Sequence, residues 1–128
     1  MSMTNDFENN VLNLLLRGET FTVPSAWYVG LFTTDPGEAG TGTEVSGGGY
    51  ARVQATFTKA TTGSSSNTAD VVSPVSTAAW GTVTHFGIFD AVTSGRLLFK
   101  GTVTPNVPIT GAGQQARFPA GSLVISLD

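Results

Sequence analysis

The sequence predicts a mainly β protein: a β-sandwich or jelly-roll-like domain over residues 1–128 with one short N-terminal α-helix. Apolar and polar residues alternate in about seven to nine short runs that glycine, serine and threonine separate, and one segment alone has helical periodicity. Charged residues make up only 12% of the chain, about half the usual share. Hydrophobic residues make up 40%, so the chain has enough apolar side chains for a folded core.

The helix is predicted from Asn5 to Arg17. Asn5 is a suitable N-cap, and Glu8, three residues later, completes a pattern typical of a capping box. Gly18 follows Arg17 and supplies the residue that commonly ends a helix in the left-handed conformation. The segment therefore carries both a start signal and a stop signal.

The apolar residues of this helix predict how it packs. Four of them recur at helical spacing and form one stripe: Phe7, Val11, Leu14 and Leu15. We expect this stripe to cover one end of the β core. Leu12 and Leu16 lie off the stripe, and the alternative interpretation is that these exposed leucines bind a partner subunit.

Short strands are predicted along the rest of the chain, at residues 27–34, 50–58, 69–73, 80–90, 97–104, 114–118 and 122–127. The first strand is apolar on both faces, which indicates a central strand covered on both sides. Residues 80–90 and 97–104 are expected to form a hairpin. Pro105 and Pro108 are expected to break the stretch that follows, and the last strand to hold the chain end in a sheet.

A long glycine-rich loop is predicted at residues 35–49. It carries three acidic residues, Asp35, Glu38 and Glu44, but their spacing is irregular and matches no calcium-binding loop. The glycines also lack the following Lys-Ser/Thr of a phosphate-binding loop. We interpret the segment as a solvated contact loop, with a metal site as the minor alternative.

Composition weighs against several classes of function. The chain has no cysteine, which excludes disulfides, thiol catalysis and thiolate metal sites. Its six basic residues are scattered and form no patch for nucleic acid. The longest apolar run is too short to span a bilayer and no export signal is recognisable, so we expect a soluble protein made without export and no membrane partner.

Candidate catalytic residues are few, and we expect no enzyme and no cofactor. His85 is the single histidine and lies in an apolar strand without a Gly-x-Ser-x-Gly elbow elsewhere, so we expect it to be packed and bonded to a backbone group. Asp70 and Asp90 could form a glycosidase pair, but nothing in the sequence pairs them. Sugar stacking on exposed aromatic side chains stays a minor alternative, its candidates being Trp27, Tyr28, Tyr50 and Trp80.

Five segments together resemble a known family. Residues 29–36 (VGLFTTDP) lead into residues 44–52 (EVSGGGYAR). Residues 67–71 (NTADV) are followed by 80–90 (WGTVTHFGIFD) and 95–101 (GRLLFKG). This order is similar to that of small tailed-bacteriophage virion proteins, which are often described as tail-fibre-like or head decoration proteins. The resemblance covers nearly the whole chain and brings no catalytic residue with it.

The resemblance implies a structural subunit of the virion, made in the host cytoplasm. We expect foremost a capsid decoration, or cement, protein on the outer head surface, a homotrimer that binds the major capsid protein and copies of itself. The alternatives are a tail or tail-fibre-associated protein and a receptor- or glycan-binding module. The candidate interface residues lie on the helix and on or next to the 35–49 loop: Phe7, Leu12, Leu16, Asp35, Glu38, Glu44 and Tyr50.

Overall fold

The computed structural model describes residues 2–127. Its elements are, in chain order, β1 (Ser2–Met3), α1 (Asn5–Arg17), β2 (Trp27–Phe32), β3 (Val53–Ala55), β4 (Ser64–Ser66), β5 (Val71–Val72), β6 (Gly81–Phe89), β7 (Leu97–Ile109), β8 (Arg117–Phe118) and β9 (Val124–Ser126). The helix has the predicted bounds. The predicted strand at 50–58 shrinks to the three residues of β3.

One antiparallel sheet organises the described part of the chain. Five strands follow the order β1-β7-β6-β2-β3, and two further two-stranded ribbons pair β4 with β9 and β5 with β8. The predicted hairpin is β6–β7, and β2 lies inside the sheet with its last four residues buried. The mainly β class with one short helix is therefore confirmed. Two small ribbons stand where a sandwich would have a second full sheet, so the sandwich and jelly-roll detail is not confirmed.

Paired glycines let aromatic rings lie flat on the centre of this sheet. Gly30 of β2 pairs with Gly87 of β6. The rings of Phe32 and Phe89 stack there with centroids 6.0 Å apart. A Cβ atom on Gly30 would lie 2.7 Å from the Phe89 ring, so an alanine at this position would displace the ring.

The main hydrophobic core joins the sheet to the segments that follow β7. Val29, Val83 and Ile109 are among its most buried members. Trp80 also belongs to it, and its indole Nε1 donates a hydrogen bond to the Gly48 carbonyl at 2.8 Å. The core therefore ties the glycine-rich loop to the sheet.

Strand β7 corrects the prediction about Pro105 and Pro108. Pro105 and Pro108 do not break it, because β7 continues to Ile109 around a register shift against β6. Beyond Lys100, β6 is the one neighbour of β7 among the described strands, and a strand with a single neighbour tolerates proline, whose missing N–H can face away from that neighbour. A second shift, next to Phe89, makes Leu98 the fully buried residue at the start of β7 rather than Leu97.

Residues 61–68 lie outside the strands that the sequence predicts, yet they contain β4. Its three serines pair with β9, so backbone hydrogen bonds form the strand where side-chain propensity gives no signal. The Leu127 amide bonds to the Gly63 carbonyl at 2.9 Å, and the described chain end lies in a sheet as predicted. Leu127 itself is exposed, however, and does not face the core.

Candidate assembly surface on helix α1 and the 35–49 loop

The first turn of α1 is fixed to the sheet by backbone hydrogen bonds. Thr4, not Asn5, is the N-cap residue, and its side chain makes no capping bond. It is buried instead, donating from Oγ1 to the Leu97 carbonyl at 2.7 Å, while its amide bonds to the Leu98 carbonyl at 2.9 Å. The next amide, of Asn5, bonds to the Glu38 carbonyl at 3.1 Å. The start of α1 is therefore held by both β7 and the loop.

One aromatic side chain seats the helix on the sheet. The ring of Phe7 lies 5.1 Å from that of Phe99 on β7 and 5.4 Å from that of Phe21. Phe7 was a candidate interface residue, but the structure gives it this contact within the subunit. Gly18 ends the helix in the left-handed conformation at φ 68°, as predicted.

The second half of α1 exposes its leucines. No residue of the helix is buried, so the expectation that it closes the end of the core is wrong. Leu14 and Leu15, placed on the buried stripe by periodicity, are 43% and 72% exposed. Leu12 is 53% exposed and Leu16 is 78% exposed. Apolar side chains therefore surround the last turns, and a helix of that kind is normally covered by protein.

Leu12, Leu15 and Leu16 are the three most exposed leucines of α1 and form what we call the leucine face. At 100° per residue, Leu12 and Leu16 lie roughly 140° and 180° around the helix from Phe7, and Leu15, roughly 80° from Phe7, lies at the edge of this face that is nearer to the predicted stripe. Because isolated apolar residues are common on surfaces but contiguous apolar patches are rarer, this face is the strongest candidate for a protein contact.

Asp35 and Glu38 lie in a polar cluster beside α1. Lys100 Nζ lies 3.4 Å from Asp35 Oδ1 and 3.7 Å from Glu38 Oε1, and the Gly37 amide donates to Asp35 at 2.9 Å. The Gly37 amide first, and then Lys100, hold the pKa of Asp35 below its ordinary value. Both acids therefore fasten the loop to β7, and any contact they make with a partner stays a prediction.

Glu44 and Tyr50 take part in a partly buried network. Arg52 forms two hydrogen bonds of 2.8 Å to the Glu44 carboxylate and donates to the Ala91 and Ser94 carbonyls at 2.9 and 2.6 Å. The Tyr50 hydroxyl donates to Glu44 at 2.7 Å and accepts from the Leu31 amide at 2.9 Å. This network joins the loop, β2 and the β6–β7 turn within one subunit.

Arg52 gave no functional signal in the sequence, although it organises this network. Its guanidinium carbon lies 3.4 Å from the centre of the Phe89 ring, and its side chain is only 8% exposed. Burial first, and then the bond to Glu44, raise the pKa of Tyr50. The sequence shows that an arginine follows the glycine-rich loop. It does not show that this arginine contacts Phe89, Ala91 and Ser94, which lie far along the chain.

The residues considered for catalysis have other roles. Thr84 Oγ1 lies 2.8 Å from Nδ1 of His85, so the partner of this histidine is a side chain and not the expected backbone group. Its Nε2 lies 3.9 Å from Asp35. Asp70 bonds to Arg117 and Asp90 to Arg96, so each acid of the hypothetical glycosidase pair has its own arginine.

Residues 2–127 can be compared with the requirements of a metal site, a membrane-spanning helix and a sugar-stacking site. No group of three or more histidine, aspartate or glutamate side chains there could hold a metal ion. No helix in this range is long and apolar enough to cross a membrane. Trp80 is buried, so it presents no open ring for sugar stacking.

A match to a known protein family shows to which family the chain belongs. Residues 2–126 match the family described as Podophage GP4 fiber I protein gp80. The chain belongs to this gp80 family. It is therefore a bacteriophage virion structural protein, as the motifs at 29–36, 44–52 and 80–90 predicted.

The family description refines the sequence-based expectations. It names a fibre protein, which fits the tail-fibre alternative better than a capsid cement protein. Location in the virion is supported, whereas the head surface is not. No curated protein matches the chain.

Proposed function

We propose that this gp80-family chain is a subunit of a tailed-phage fibre, that it works by binding other virion proteins, and that it catalyses no reaction. The observation that carries the proposal is the match of residues 2–126 to a fibre protein family. A head decoration role, the first expectation from the sequence, has no feature of the fold in its favour.

The distribution of charge supports a function in protein contact. Every arginine and Lys100 pairs with an acidic side chain of the same subunit. The charges thereby stabilise loops and turns, and the leucine face is left as the feature best suited to a partner. Burial of a leucine side chain contributes roughly 1.5–3 kcal/mol, so three such residues can hold a subunit in place.

The proposed partners are copies of this chain and the neighbouring virion proteins. A fibre repeats a few subunit contacts many times, and several weak contacts acting together give a stable assembly. The homotrimer expected from the sequence is part of this proposal, and neither nucleic acid nor a membrane is among the proposed partners.

Gold labelling of purified virions tests the proposal. Antibodies against this chain, detected with gold particles in electron micrographs, should mark the fibres and leave the head surface bare. Quantitative mass spectrometry of the same virions should give a copy number that is small beside that of the major capsid protein. Gold over the whole head surface, or absence of the chain from purified virions, would contradict a fibre subunit.

A further inference from the structure

The leucine face of α1 and a groove beside β7 have matching chemistry. We propose that the leucine face of one copy binds in the groove of a second copy, so that the subunits join head to tail. This inference rests on the proposed structural function, and it names the partner that the function requires.

The groove lies between β7 and the segment of residues 117–123 and has a volume of about 360 Å³. Its lining consists of five apolar side chains, among them Phe86, Val107 and Phe118, together with two prolines, three hydroxyl side chains and Arg117. A cavity of this volume holds roughly a dozen water molecules. Because apolar walls bind water weakly, replacing this water with leucine side chains would favour association.

The wall of the groove is fixed within the subunit. Asn67 is buried, and its side-chain amide donates to the Pro119 carbonyl at 3.0 Å while its Oδ1 accepts from the Leu123 amide at 2.9 Å. Asp70 accepts from the Ala120 amide at 2.8 Å and also bonds to Arg117. A groove held in this way loses little conformational freedom when a partner enters it.

The helix of the same subunit does not fill this groove. Residues of α1 are absent from its lining, since Phe7 holds the helix at Phe99, near the start of β7. Within the described subunit, the apolar helix face therefore does not cover the groove, and the groove does not cover the helix face. A second copy supplies both missing parts.

Two leucine faces match each other less well than a leucine face matches the groove. Glu8 and Asn9 lie on the same side of α1 as Leu12 and Leu16, one turn closer to its start. A parallel pair of helices would bring Glu8 near Glu8, and an antiparallel pair would place leucines against Glu8 and Asn9. Either arrangement places a carboxylate where the contact needs an apolar or basic group.

Charge also favours the groove as the binding site. Arg117 lies at the groove with its side chain 64% exposed, and Glu8 lies one turn from Leu12. Arg117 bonds to Asp70 in its own subunit, but a guanidinium carries five N–H donors and can bind a second carboxylate. The leucines would then enter the groove with Glu8 directed toward Arg117.

Such a contact uses a different surface on each partner, and contacts of this kind close into rings or continue as filaments. Three copies around an axis would give the homotrimer expected from the sequence.

Site-specific cross-linking tests the contact on the full-length chain, which has no cysteine of its own. Leu16→Cys places a thiol on the leucine face, and Thr104→Cys places one at the groove. The two variants are mixed and treated with a short bis-maleimide. Val75→Cys, an exposed apolar position on neither surface, replaces Thr104→Cys in the matched control.

We expect cross-linked dimers in the mixture of Leu16→Cys with Thr104→Cys and none in the mixture with Val75→Cys. Cross-linking of Leu16→Cys with itself to the same extent would overturn the proposal in favour of paired helices. Absence of mixed dimers would overturn it as well. If mixed dimers are absent but gold still marks the fibres, the proposed contact is wrong and the fibre function stands. If mixed dimers form but the chain is absent from purified virions, the contact stands and the fibre function is wrong.

Discussion

Arg52 is the side chain that links most parts of the subunit at the residue scale. It binds the Glu44 carboxylate through two nitrogens, reaches two carbonyls of the β6–β7 turn and covers the Phe89 ring. A bidentate arginine–carboxylate pair has well-defined geometry, and here burial protects it from screening by salt. Arg52 thus holds the second half of the loop at residues 35–49, whereas Lys100 holds its first half.

Replacing Arg52 with alanine should destabilise the subunit. The substitution leaves the Glu44 carboxylate partly buried with Tyr50 as its remaining partner, and we expect a loss of about 2–4 kcal/mol in the free energy of unfolding. Urea unfolding of the two proteins measures the loss. The matched control is Arg17→Ala, because Arg17 and Glu19 form an exposed pair worth about 0–1 kcal/mol. Equal losses in the two variants would contradict this role of Arg52.

Tyr50 should make the subunit sensitive to alkali. Because its pKa is raised in the folded state above the ordinary value of 10.0, its contribution to stability is complete below about pH 10. The contribution is lost as the pH rises further, since the unfolded chain releases the phenolic proton first. Urea unfolding between pH 8 and pH 11 should show a shallower decline for Tyr50→Phe than for the wild type. Parallel declines would contradict the raised pKa.

Gly30 should resist even the smallest side chain. An alanine Cβ there would lie 2.7 Å from the Phe89 ring and 3.0 Å from Glu44 Oε1, and we expect Gly30→Ala to cost about 1–3 kcal/mol of stability. Gly111→Ala is the control, because nothing lies within 4 Å of its added carbon and its φ is not in the left-handed region. Thermal unfolding compares the two, and similar midpoints would show that the ring moves aside without cost.

At the scale of elements, α1 is joined to the sheet at its start and exposed at its end. Thr4, Asn5 and Phe7 make the contacts with β7 and the loop, whereas the leucine face makes none of comparable burial. The helix therefore combines a fixed base with a free apolar end. This asymmetry suits an element that is completed by assembly.

Leu16 and Leu98 should respond differently to substitution. Leu16→Asp should leave the stability of the isolated subunit within about 0.5 kcal/mol of the wild type, because the side chain is 78% exposed. Leu98→Ala should cost about 2–5 kcal/mol, because Leu98 is fully buried on β7. Urea unfolding at a protein concentration where the chain is monomeric measures both. A large loss for Leu16→Asp would place the leucine face in the fold of the single subunit.

The sequence predicts elements that carry their own signals. Helical periodicity and Gly18 predict α1, although Thr4 and not Asn5 is its N-cap, and apolar runs of strand length predict β2 and the β6–β7 hairpin. The sequence does not predict a strand whose formation depends on pairing with a distant segment. An example is β4, whose serines form a strand by pairing with β9. Helical periodicity likewise places Leu15 on the stripe that should be buried. It cannot show that the sheet does not extend far enough to cover Leu15, which is exposed.

The same limit applies to the candidate site. Leu12 and Leu16 follow from their position off the helical stripe, and the structure finds both exposed. The length of the loop makes Glu44 and Tyr50 candidates for a contact with a partner. In the structure Glu44 bonds to Arg52 and Tyr50, so both residues belong to a network within the subunit. The groove beside β7 joins residues from 86 to 123, so no local pattern could predict it.

At the scale of the whole molecule, the described subunit pairs most of its charged side chains internally and leaves an apolar helix end and a largely apolar groove for contact. Membership of a fibre protein family gives these surfaces a setting in which many copies meet. The fold supplies a rigid sheet, and the assembly supplies the partner that the leucine face needs. The contact that buries the leucine face would then also be the contact that joins the subunit to the virion.

Competition between wild-type and Leu16→Asp chains for places in the virion tests this account most directly. Both chains are produced in equal amounts during infection, and mass spectrometry of purified particles gives the ratio of the two forms of the peptide that contains residue 16. Loss of one buried leucine corresponds to roughly 1.5–3 kcal/mol, so we expect the variant to be depleted at least about tenfold. Equal amounts of the two chains in the particles would contradict assembly through the leucine face.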